Sequence, residues 1–147
     1  MAKYGILFRR MQPEFGFREH AHTADWELEV WAPDLPSLLE QAARGMYALS
    51  GTKLQKEKHQ VSKIALQAED AEGLLVRFLS ELLWLEQEQD IGFDGFDIRV
   101  DDHYNLHAEL TGCAVASIDK EIKAVTYHNL AVEDTPRGLR VNIVFDV

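Results

Sequence analysis

Five apolar side chains in strict alternation, Leu139, Val141, Ile143, Phe145 and Val147, constrain this chain more than any other feature. A period of two is that of a β-strand with one face buried, so the final stretch is expected to be a core strand. If the chain ends there, the main-chain carboxylate of Val147 sits beside the Asp146 side chain, two anionic groups on adjacent residues. A merely solvated end of the chain is the plain alternative, and both readings stand at this point.

Upstream, the pattern alternates between strand and helix. Residues 1–14 end at Gln12-Pro13 and read as an extension or edge strand. Phe15–Glu19 and Trp26–Ala32 read as strands; in the second, Trp26, Leu28, Val30 and Ala32 share a face. Asp34 and Pro36 open a helix whose Leu35, Leu38, Leu39, Ala42, Met46 and Leu49 align, and Gly51 closes it. Val61–Ala68 is strand-like. A second helix, capped by Asp70, covers Ala71–Gln89 with a broad leucine-rich surface, and charge collects at its end in Glu86, Glu88 and Asp90.

From Phe93 onward the period is two again. Phe96, Ile98 and Val100 precede a turn at Asp101-Asp102, Leu106, Ala108 and Leu110 follow, and Gly112–Ser117 is ambiguous. Glu121–Val132 reads as one long strand and Asp134–Gly138 as a turn. This order predicts an α+β fold, a mainly antiparallel meandering sheet covered on one face by two helices, in a single domain over 15–147.

Fifteen basic residues against twenty-five acidic ones make a surface that repels phosphate backbones at long range, so RNA is expected to be met only indirectly. No apolar run approaches the ~20 residues needed to span a bilayer. Met1–Arg10 lacks a cleavage pattern, so a cytoplasmic protein without a membrane partner is expected. A single cysteine, Cys113, excludes a disulfide framework and a cysteine-rich zinc site.

Chemistry concentrates in three places. His20-Ala21-His22 leads to Asp25, a spacing that suits a fragment of a metallohydrolase site, or else a capped strand entrance with solvated histidines. Lys123 lies in Glu121–His128; with Ile122 and Ala124 facing the core, Lys123, Val125 and Tyr127 face outward. The third place is the end of the last strand. His59, His103, His107 and His128 are scattered, and no phosphate loop or nucleophile turn is present.

Three blocks resemble the archease family: His22-Thr23-Ala24-Asp25, Ile122–His128, and the closing Val144-Phe145-Asp146-Val147. The segment Glu72–Leu83 is similar to that family's second helix. The resemblance implies an accessory protein rather than an enzyme. It would activate an RtcB-type RNA ligase, promoting GTP-dependent guanylylation and multiple turnover in tRNA splicing and RNA repair; some relatives are associated with a tRNA methyltransferase. It also implies a cation site on Asp25, Asp146 and the terminal carboxylate of Val147, with Lys123 important for activation and His22 beside it. Carboxylates without thiolate suit Ca²⁺ or Mg²⁺. Two features depart from the family pattern: His20 makes a second histidine at the entrance, and Trp26-Glu27 follows the aspartate where smaller or apolar residues are usual. The competing expectation is a metal-dependent hydrolase using His20, His22 and Asp25.

Overall fold

The computed structural model describes residues 14–20 and 25–147. His22 and most of the expected N-terminal extension lie outside these residues. The elements are β1 (Gly16–His20), β2 (Trp26–Ala32), α1 (Leu35–Ser50), β3 (Lys53–Leu54), β4 (Gln60–Gln67), α2 (Ala71–Gln89), β5 (Ile91–Val100), β6 (Asn105–Ser117), β7 (Ala124–Val125), β8 (Glu133–Thr135) and β9 (Gly138–Asp146).

Local chemistry sets both helices. Asp34 accepts from the Ser37 amide at 2.9 Å, and Asp70 from the Gly73 amide at 2.7 Å, so each helix begins with one of its orphan donors satisfied. Gly51 ends α1 in the left-handed conformation at φ 66°, where the Gly51 and Thr52 amides close back onto the Ala48 and Tyr47 carbonyls. Asp90 caps α2 in the same way at φ 57°, without glycine's freedom.

Among the described residues all strand pairings are antiparallel, and the strands divide between two sheets. One runs β1-β2-β9-β7, with β8 also on β9; the other is built on β6, flanked by β5 on one edge and by β3 and β4 on the other. The α+β class holds. The sequence alone reads one sheet; the structure makes two and joins them through the helices. α1 packs on β1, β2 and β5, and α2 packs on β4, β5 and β7. Leu38, Leu39, Leu74, Phe78, Leu82, Phe93, Ile143 and Phe145 therefore share one core, each 2% exposed or less.

β2 has its expected limits and face: Leu28, Val30 and Ala32 are buried, and Trp26 is partly buried. The ambiguous stretch Gly112–Ser117 continues β6.

The long strand expected over Glu121–Val132 is not formed; only Ala124 and Val125 pair, opposite Asp146 and Phe145. Beyond them the Thr126 amide and hydroxyl both bond the Val144 carbonyl, and Asn129 at φ 50° with a Leu130–Tyr127 backbone bond turns the chain away. The start of β9 is already occupied by β8, which lies where the turn reading began. The facing of this segment is corrected with it: Ala124 is exposed and Val125 is buried. Among the described residues no helix is long and apolar enough to cross a membrane.

Candidate functional site

β9 runs between β2 and β7, and its last residues are where the first and last thirds of the chain meet. In the β2 register Trp26, the residue after Asp25, stands opposite Phe145, the residue before Asp146. On the other edge Ala124 is opposite Asp146, and the Lys123 amide donates to the Asp146 carbonyl at 2.8 Å. Alternation from the buried Phe145 turns the Asp146 side chain to solvent, and Asp25 is exposed as well. Val147 packs partly against the core, which fixes the main chain at the end of β9.

Lys123 is held although its side chain is exposed. Ile122 and Val125 on either side are buried, and the Gln87 side chain of α2 donates to the Ile122 carbonyl at 3.5 Å. The ammonium is thereby carried on an anchored backbone at the same end as Asp146. Nearby, the Lys120 ammonium lies 5.4 Å from the centroid of the Trp26 ring, a cation–π contact at the head of β2. Trp26, a departure from the family pattern by sequence, thus holds a second cation close to Asp25.

Neither the Asp25 nor the Asp146 carboxylate makes an ion pair or side-chain hydrogen bond among the described residues. Among the described residues no three His, Cys, Asp or Glu side chains gather in metal-holding geometry.

His20 lies elsewhere in the same sheet. Its Nε2 meets a Glu29 carboxylate oxygen at 3.1 Å, and Arg140 donates to the other Glu29 oxygen at 2.8 Å. Burial pushes the Glu29 carboxyl up, but the hydrogen bonds from Arg140 and His20 and the charges of Arg140 and Arg18 outweigh it and hold it below the ordinary range. This cluster ties β1, β2 and β9 together. Reading His20 as a potential ligand missed it, because its partners are distant in sequence.

Sequence reasoning also missed Glu86. Its expected place was a charged helix end, yet it is 9% exposed. Burial raises its carboxyl, a Thr52 hydrogen bond partly opposes this, and the charges of Asp90 and Glu121 raise it further.

Comparison with known proteins places these features in context. The model of the Archease protein family (MTH1598/TM1083) matches residues 17–147. Protein archease of Methanosarcina acetivorans is 32% identical over 136 residues, covering 86% of this chain and 92% of that protein. Protein archease of Methanothermobacter thermautotrophicus is 28% identical, covering 90% and 99%. The solution structure of Methanobacterium thermoautotrophicum protein 1598 superposes with a TM-score of 0.68 at 25% identity, covering 90% of this chain and 99% of that one.

Proposed function

This chain belongs to the archease protein family, and from that membership we propose that it is an accessory protein that activates an RtcB-type RNA ligase. It promotes the ligase's GTP-dependent guanylylation and multiple turnover in tRNA splicing and RNA repair, and joins no RNA itself. Asp25, Asp146 and the main-chain carboxylate of Val147 hold a divalent cation, Ca²⁺ or Mg²⁺. Lys123 works beside them, and His22 borders the site.

The observation that carries the reading is the register. Trp26 opposite Phe145 and Ala124 opposite Asp146 gather family-matched residues from three separated blocks at one sheet end. Nothing in the packing of β9 requires acids there, since the core contacts are made by Val141, Ile143 and Phe145. When bound, the cation offsets the repulsion between the two aspartates. Lys123 adds a positive charge on a fixed backbone, and the acidic body favours approach to a basic RNA-binding partner.

Reconstitution tests the proposal. The purified chain should join no RNA alone and should stimulate an RtcB-type ligase given GTP and a divalent cation. A ligase equally fast with and without the chain removes the proposal.

A further inference from the structure

On the side of the molecule where α1 faces β3 and the start of β5 there is a concavity of about 660 Å³, within the range of sites that enclose a small organic ligand. Its floor is apolar. Leu54 and Phe93 lie at the base, and Phe17, 36% exposed, forms one wall. Gly92 lies beneath Leu54; a β-carbon there would press on a Leu54 methyl at 2.7 Å. The surface thus offers flat apolar area, including an aromatic ring, without being filled by its own side chains.

The rim is cationic in a chain of net charge −10. Lys56, His59 and Arg44 line it, with Asp94 as the one acid. The stretch 53–63, from which Leu54, Gln55, Lys56 and His59 line the concavity, holds Lys53, Lys56, Lys58 and Lys63 against a single acid, Glu57. None of these lysines is in an ion pair among the described residues. Arg44 is occupied by Glu40 and the Asp94 carbonyl, which leaves Lys56 and His59 as the available groups. Cys113 Sγ lies 3.3 Å from His59 Nδ1 and orients the ring, with Nε2 remaining. The Tyr47 hydroxyl accepts from the Phe93 amide and keeps its own proton for another acceptor. At physiological salt the Debye length is about 8 Å, so this local charge, not the net charge of the distant surface, sets the field inside.

We propose that this concavity binds a flat-ringed phosphate, a nucleotide either free or at the end of an RNA strand. The ring lies against Phe17 and Leu54, and the phosphate is held by Lys56 and His59. A ring without charge forfeits the rim, and a phosphate without a ring forfeits the floor, so the two parts must be joined for tight binding. None of Asp25, Lys123, Asp146 and Val147 lines this concavity, and the proposal does not depend on the ligase reading.

The test is a titration of the full chain, followed by the backbone and imidazole resonances, with adenosine 5′-monophosphate, adenosine, inorganic phosphate and a 5′-phosphorylated oligoadenylate. Adenosine 5′-monophosphate should bind at least tenfold tighter than adenosine or phosphate, and should shift the His59 imidazole. Lys56→Glu should weaken it at least tenfold with an unchanged melting temperature, whereas Arg137→Glu, an equal charge change at the β8–β9 turn, should not. An oligonucleotide binding tighter than the mononucleotide identifies a strand end as the source; equal binding identifies the free nucleotide. Mononucleotide binding no tighter than that of its two parts, or indifferent to Lys56→Glu, overturns the assignment.

Discussion

Trp26 stands directly opposite Phe145 in the β2–β9 ladder. The pair holds together because Phe145 is fully buried and the Trp26 ring, itself packed on the core, carries Lys120 on its face. Everything placed at the end of the sheet depends on this register, since a slip by one residue turns every side chain of β9 to the opposite face.

Cation binding at this end is checked by stability as well as by activity. Added Ca²⁺ should raise the melting temperature of the wild-type chain; at one hundred times its dissociation constant, linkage gives about 2.7 kcal/mol. Asp25→Ala and Asp146→Ala should remove that increment and the stimulation of the ligase while leaving the cation-free melting curve nearly unchanged. A few residues appended after Val147 should weaken the calcium response, and the same residues at the N-terminus should not. Calcium responses unchanged in both aspartate variants would refute the ligand assignment.

Glu29→Gln should destabilise the fold by about 1–2 kcal/mol at neutral pH, since it removes the charge that Arg140 and His20 bond. The folded-state pKa of Glu29 lies below its ordinary 4.5, so its contribution is present above that value and is lost as pH falls through the lowered one. Melts of both proteins should converge in acid. A constant gap across pH would assign the effect to packing instead.

Glu86 carries the opposite sign. The Ser50 hydroxyl donates to the Tyr47 carbonyl and lies 2.7 Å from the Thr52 hydroxyl, which meets Glu86 at 3.3 Å. With Glu86 ionised, Ser50 and Thr52 have given away both protons and their mutual contact has none; a protonated Glu86 supplies the missing one. The raised pKa means that the group stabilises below its ordinary 4.5 and loses that contribution as pH rises through the folded value. Glu86→Gln, whose amide donates at any pH, should therefore raise the neutral-pH melting temperature by about 2–4 °C, for roughly 1 kcal/mol. The gain should vanish in acid, and a loss at neutral pH would contradict the upward shift of the Glu86 carboxyl.

Gly112→Ala should be among the most damaging single-methyl changes. A β-carbon at Gly112 would collide with the Gly92 carbonyl oxygen, a backbone atom of β5 that has no rotamer to escape into. The bulge between Phe93 and Gly95 adjoins this crossing. A loss on the order of 3 kcal/mol is expected, measured by denaturant unfolding. A change under about 0.5 kcal/mol would show that β5 and β6 can separate there at little cost.

Local chemistry wrote much of this molecule legibly. Asp34, Gly51 and Asp70 act on groups within a few residues of themselves, so the helix limits could be read from the chain alone. The same holds for β2 and β9, whose alternation states which face is buried whatever covers it. The blocks around Asp25, Lys123 and Asp146 were recognisable one by one. Their meeting was not, because antiparallel register between strands from opposite ends of the chain is a property of pairing, not of either strand.

Tertiary structure also decided where alternation stops counting. Ile122 and Val125 are both buried because the edge of β9 available to their segment is only two residues long. Glu86 is hidden where the end of α2 meets α1 and Thr52 just beyond it, a neighbour 34 residues away in sequence. A chain's own sequence fixes what a residue prefers within a turn or two of itself; which distant atoms replace water around it is settled only when the two sheets close on the helices.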